Sequence, residues 1–363
     1  MTDTSTCSQA AHALPDPAEA DPEAWLAFHI FYAASPRPLL TQCVRPLTEA
    51  LTDEGLLAGY FFINYWLEGP HLRLRLRPAR PQAAPQVRLR AEEAISAFLA
   101  RRPALYEVKG GFLAELYDTL FAFEYPGERP AHLLDAHGRM RLRKNNSFSL
   151  EPYEPEFGKY GGPSGVALAQ WHFQHSSNLV IEVAQAMNLH LRTVVLGLAG
   201  QLMMTTASCF LPEREDLLAF LDRYHAFWNG AFEGTNYTAR DGYDRAYQAT
   251  DASLPKRFQM IREAVAADAL ERLPGLLGLW ARHCLELRAR VLELTDRGEL
   301  LFRSQDGKRD LRVTDPSQAL PMLLSPYAHM TNNRLGVTVG DEAYLSYVLA
   351  RALREPARRE DRP

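Results

Sequence analysis

From His71 to Arg77 the chain reads HLRLRLR, a leucine alternating with a basic side chain without a break. A period of two marks a strand with two unlike faces. Leu72, Leu74 and Leu76 fall on one face and need a core beneath them, while His71, Arg73, Arg75 and Arg77 fall on the other. A rise of roughly 3.3 Å per residue sets neighbouring guanidinium groups about 6–7 Å apart. Guanidinium stays charged and grips a carboxylate through two parallel hydrogen bonds. Such a row suits an anionic substrate group or a developing enolate; the bland alternative is a solvated, salt-bridged outer face. The run YFFINYWL (60–67) reads as a second strand, joined to the first through a turn at Gly69-Pro70.

Around this pair the chain divides into unlike halves. Trp25 to Ala33 reads as an aromatic-rich strand. Pro38 to Glu54 reads as a helix with Leu40, Cys43, Val44, Leu47 and Leu51 on one face and Pro46 as a source of a kink. Pro85 to Arg101 is helical, and 104–157, mixed in Gly, Pro and aromatics, reads as strand-rich. From Pro163 onward helices are expected at 163–187, 189–206, 213–229, 255–269, 275–296 and 340–354, with long loops at 230–254 and 298–316. The expected fold class is α+β: a mixed, mainly antiparallel sheet from the N-terminal half and a helix-rich C-terminal half. One domain, 23–355, would lie between a disordered tail (1–22) and a charged tail (356–363). With a formal net charge of −4, nucleic acid is not a default partner. Cys7, Cys43, Cys209 and Cys284 form no CxxC or Cys/His pattern and read as reduced thiols of a cytoplasmic protein without a metal site. No apolar run approaches ~18 residues, so no membrane span is expected. No GxGxxG or Walker A motif announces a cofactor.

Two further stretches carry chemistry. In 149–177 the acids Glu151, Glu154 and Glu156 lie beside Tyr153, Lys159 and Tyr160, and Gly161-Gly162-Pro163 leads into a helix. Backbone N–H groups at such a start can face an anion; the alternative is a plain loop and helix start. In 323–337 His329 is followed by Asn332, Asn333 and Arg334. If this segment is helical, His329 and Asn333 share a face. An imidazole suits proton transfer at neutral pH, although a lone His is more often structural.

These three blocks, in this order, resemble one family. FFINYWLEGPHLRLRL, YEPEFGKYGG and HMTNNRLG are similar to the strand, Tyr-Gly-Gly and His-Met…Asn-Arg-Leu blocks of the lantibiotic-dehydratase C-terminal (small) domain, in a stand-alone form. The resemblance implies a peptide-modifying enzyme of ribosomal peptide natural product biosynthesis. Its first implication is elimination of glutamate from glutamylated Ser or Thr, leaving dehydroalanine or dehydrobutyrine. Arg75, Arg73 and His329 would be catalytic, and His71, Lys159, Tyr153, Glu156, Tyr160, Asn333 and Arg334 would bind substrate. A related branch implies an alternative: a formal [4+2] cycloaddition of two dehydroalanines to a pyridine macrocycle with leader release, using Tyr65, Tyr153, Tyr160 and His329 as proton donors. A second alternative is a non-catalytic peptide-binding scaffold. The implied partners are a precursor peptide with its leader and a separate glutamylating dehydratase, with no direct nucleic acid and no membrane; the helical half offers a homodimer surface. The sequence departs from the family at Asn64 and Lys159, where the blocks carry Arg. Lys keeps the charge but loses the planar fork.

Overall fold

The expected hairpin forms as β2 (Leu57–Tyr65) and β3 (His71–Pro78), paired antiparallel with Phe61 opposite Arg75 and Tyr65 opposite His71. β1 (Leu26–Phe31) pairs antiparallel with the far side of β3, and β4 (Ser147–Glu151) with the far side of β1, giving the order β2-β3-β1-β4. Leu72, Leu74 and Leu76 are buried. Helical segments α1 (Arg37–Leu39), α2 (Arg45–Asp53) and α3 (Ala84–Arg101) pack against this part of the chain. A π-turn, Leu40–Val44, joins α1 to α2 and sets Pro46 in the first turn of α2. That widened turn is how the chain accommodates the N–H that proline lacks. The computed structural model describes residues 14–106, 114–125, 127, 129–231, 253–304 and 307–355. The expected 230–254 loop and both outer tails lie largely outside them.

Three expectations need correction here. The stretch 104–157 is not strand-rich: it holds helix α4 (Ala114–Glu124) and contributes only β4 to the sheet. Its aromatics mislead because they serve a small side cluster, where Phe121 packs with Leu67 and Leu133. The stretch 298–316, expected as a loop, contains the hairpin β5 (Leu301–Arg303) and β6 (Asp310–Arg312). Residues 17–22, expected in a disordered tail, enter two short 3-10 turns (Pro17–Ala20 and Pro22–Ala24) that bury Ala20 and let the Trp25 indole donate to Glu19 O.

The second half is helical, as expected. α5 (Phe157–Tyr160) and α6 (Gly162–Ala186) are followed by α7 (Arg192–Phe210), α8 (Arg214–Ala231), α9 (Ser253–Ala266), α10 (Gly275–Asp296), α11 (Pro316–Leu335) and α12 (Val339–Arg354). By length and composition α7 passes as a membrane span, contrary to the sequence reading, but 67% of that window is buried inside the fold. It is the central helix of the bundle, in contact with α9, α10, α11 and α12.

β2 is an edge strand whose outward N–H groups need partners. Helices supply them through side chains: Gln174 accepts from Tyr60 N, Ser177 from Phe62 N and Asn333 from Asn64 N. Asn333 also donates from Nδ2 to Asn64 O, so its amide pairs with the strand as another strand would. Asn64 returns the contact by donating to the carbonyls of Asn333 and Arg334 at the end of α11. Asn333→Leu should therefore cost about 2–4 kcal/mol, because it strands both peptide groups of Asn64. The check is a urea midpoint that falls at constant m-value; an unchanged midpoint would deny the amide this role.

Candidate functional site

The Arg face of the sheet is neither fully solvated nor uniform. Phe61 shares that face with Arg75 and packs on Phe173 of α6, at 5.4 Å between ring centroids, so α6 covers one end. Arg75 is 5% exposed, with its guanidinium 5.0 Å from the Tyr153 ring and 5.5 Å from that of Phe61. Burial lowers its pKa to about 10, so it stays charged at neutral pH. Its Nε and Nη1 have no hydrogen-bond partner among the described residues. Arg77 is spoken for by an ion pair with Glu19.

Arg73 occupies the half-open part of the face. Its guanidinium sits 3.5 Å over the Tyr65 ring, and its Nε donates to His71 Nε2 at 3.2 Å. His71 Nδ1 therefore carries the ring's proton and donates to Gly69 O at 2.9 Å. Burial holds His71 neutral, down to about 3. His29, opposite Arg73 on β1, lies with its ring 5.0 Å from that of His71, tilted by 31°. Burial and then the charge of Arg73 push His29 down to about 2. Tyr65 donates to Glu124 at 2.5 Å, and burial followed by the Glu124 charge raises its pKa, so it keeps its proton. The result is one cation without an ion pair among the described residues, beside two neutral imidazoles and a protonated phenol.

Behind this shelf lies a buried polar layer. Tyr153 accepts a hydrogen bond from Gln170, and burial keeps it protonated. Tyr160 is fully buried, stacked on Tyr327, with its hydroxyl unpartnered among the described residues. Arg334 is 2% exposed, lies 4.5 Å over the Phe173 ring, and donates to Met330 O and Ser177 Oγ. Burial lowers it to about 9.

Not every residue singled out in the sequence joins this arrangement. Lys159 is exposed and closed on Glu156, which is also exposed. The single turn of α5 points Tyr160 inward and leaves 156 and 159 outside. The start of α6 is covered rather than open: Gly161 O accepts from Leu301 N, and Ser164 donates to Glu299. Glu299 supplies the anion that a helix start favours. Asn333 is engaged with Asn64. His329 lies on α11, one turn before Asn333, but its contacts are with Glu342 of α12 and Trp228 of α8. His29, Glu124 and Glu342 were not singled out from sequence. A hollow of about 220 Å3 beside Trp25, Ala27, Glu151 and Tyr153 adjoins the site. A larger groove of about 680 Å3 lies at the start of β2, between α2 and α6, away from this chemistry.

The interior also holds a histidine pair, His172 Nδ1 to His283 Nε2 at 2.9 Å, which burial keeps well below the usual imidazole range. The unfolded chain, titrating near 6.5, binds protons that these folded rings refuse. Stability is then complete above about pH 6.5 and declines as pH falls below it, by up to about 1.4 kcal/mol per unit for each such ring. His29 and His71 act in the same sense down to about pH 2–3. The urea midpoint should drop between pH 7.5 and 5.5; a flat midpoint would mean the rings are charged in the fold.

Comparisons with known proteins bear on the fold that carries these residues. No curated protein sequence matches the chain. The pyridine synthase TbtD, from thiomuracin biosynthesis, aligns with TM-score 0.66 and 20% identity over 91% of this chain and 97% of its own. TsrL aligns with TM-score 0.59 and 18% identity over 90% and 93%. The tRNA dependent lantibiotic dehydratase MibB from Microbispora sp. 107891 aligns with TM-score 0.50 and 17% identity over 91% of this chain and 28% of its own. At these identities the likeness is one of fold. The profile of the family described as lantibiotic biosynthesis dehydratase C-term matches residues 25–353, and the chain belongs to that family.

Proposed function

We propose that the chain catalyses the pyridine-forming cycloaddition, acting on a leader-bearing peptide that already holds two dehydroalanines. One dehydroalanine and the amide carbon before it become a 2-azadiene when that amide shifts its N–H proton to oxygen. Two carbon–carbon bonds then form to the second alkene. Loss of water, then of the leader as its amide, leaves the aromatic ring. No oxidant is needed, and each step moves a proton at nitrogen, oxygen or carbon.

The observation that carries this reading is the Arg73 shelf. A guanidinium flanked by a neutral His71, a neutral His29 and a protonated Tyr65 can hold an amide oxygen and exchange its proton. Lys159, expected to bind substrate in the elimination reading, is exposed and paired with Glu156 instead. The fold shared with a pyridine synthase over nearly its whole length supports the same reading. Glutamate elimination keeps one observation in its favour, the unpartnered N–H groups of Arg75, which a carboxylate would satisfy. A separate glutamylating partner belongs to that second reading.

Mass spectrometry on the purified chain separates the two. A leader peptide with two dehydroalanines should lose its leader and gain a pyridine macrocycle. Loss of glutamate from a glutamyl-Ser peptide, with the first peptide untouched, would overturn cycloaddition in favour of elimination. No change in either would leave a peptide-binding scaffold.

A further inference from the structure

Glu342 is fully buried, yet no Lys or Arg pairs with it among the described residues. It stands in the first turn of α12, where Thr338 and Asp341 already form the capping box, so the helix start does not require it. Its two oxygens are divided. Oε1 accepts from His329 Nδ1 at 2.8 Å; Oε2 accepts from the Tyr224 hydroxyl and from Asn332 Nδ2 at 3.3 Å. The His329 ring is held between this carboxylate and the Trp228 indole, stacked at 4.8 Å, and is partly exposed. A buried carboxylate needs donors on both oxygens, and His329 Nδ1 is the donor to Oε1.

We propose that Glu342 is the positioning residue of His329, which lies one turn of α11 from the Asn333–Asn64 contact beside Tyr65: it fixes the imidazole with its proton on Nδ1, leaves Nε2 as the proton-accepting atom, and stabilises the imidazolium formed when Nε2 takes a proton. This is the logic by which a buried carboxylate orients a catalytic histidine elsewhere. The proton moves from substrate to Nε2, and Glu342 takes no proton in this step. Tyr224 and Asn332 hold the carboxylate, so the unit spans α8, α11 and α12. The inference rests on the enzymatic reading above, but its structural half can be tested without turnover.

The test is Glu342→Gln in the full chain. Both donors at Oε2 require an acceptor there, so the carboxamide oxygen takes that place and its NH2 faces His329. Nδ1 must then accept, which moves the ring's proton to Nε2. Nitrogen-15 NMR of labelled histidine reads the tautomer directly. The wild-type His329 should show the Nδ1–H form and the variant the Nε2–H form, with turnover down by about 10³- to 10⁴-fold, as for a wrong tautomer in other enzymes, and KM little changed. An Nε2–H form in the wild type would overturn the assignment even if the variant does not fold. So would a folded variant with turnover within threefold of wild type, or one whose His329 keeps Nδ1–H. If the wild type itself turns over neither peptide, the enzymatic reading fails, while the tautomer shift still decides whether Glu342 positions the ring.

Discussion

Arg73→Met should lower turnover of the bis-dehydroalanine peptide about 100- to 1000-fold, the usual cost of removing one preorganised donor from a transition state, with KM changed little. Arg73 is the member of the row that is both accessible and uncommitted. Arg75 is buried under Tyr153 and Phe61, and Arg77 is ion-paired with Glu19. The Arg73 Nε bond to His71 and the Tyr65 ring fix its plane, so its remaining N–H groups meet a carbonyl oxygen without reorganising. Met keeps the apolar stem, which separates loss of the charged fork from loss of side-chain bulk. Arg73→Lys should fall between the two, since the charge survives and the fork does not. Arg77→Met is the control and should stay within threefold of wild type. Equal losses at 73 and 77 would mean that the row serves the sheet and not the reaction.

How far the sequence could be read follows from which signals are local. The alternation of 71–77 fixes two faces of one strand, and both came out where the period puts them, with three leucines buried beneath and four basic groups opposite. What covers the basic face is a long-range matter. Phe61 and Phe173 are over a hundred positions apart, and nothing in HLRLRLR tells Arg75 from Arg73. The same limit applies to His329. Its helix and its shared face with Asn333 are local properties, but its partner Glu342 sits in the next helix, and Tyr224 comes from α8. Asn64 reads as a departure from the family and proves to be half of a reciprocal amide contact with α11. Lys159 departs in geometry as well as in chemistry, because one turn of α5 decides what faces out. Composition misread 104–157, since aromatics enriched in strands served α4 and its side cluster instead.

The largest effect on stability is expected at Gly165, three residues after the Tyr-Gly-Gly block. Gly161 and Gly162 adopt φ of 87° and 80°, the left-handed region, and reverse the chain between α5 and α6. That reversal lays the Tyr160 carbonyl directly on Gly165, where an added Cβ would stand 1.8 Å from the carbonyl oxygen. The obstacle is backbone, not the end of a flexible side chain, so α5 and α6 must separate for any side chain to fit. Gly165→Ala is favourable for the helix alone, by up to about 1 kcal/mol, yet it should destabilise the protein by about 3–5 kcal/mol, the range of severe core disruption. Since Tyr160 stacks on Tyr327 and meets Phe173 edge-on, the displacement also disturbs the polar layer behind Arg75. Calorimetry should show the melting temperature of this 363-residue chain falling by about 1–2 °C for each kcal/mol lost, roughly 4–7 °C in all. A variant as stable as wild type, or more stable, would mean that α5 is free to move off α6 and that the block is held together by something other than this contact.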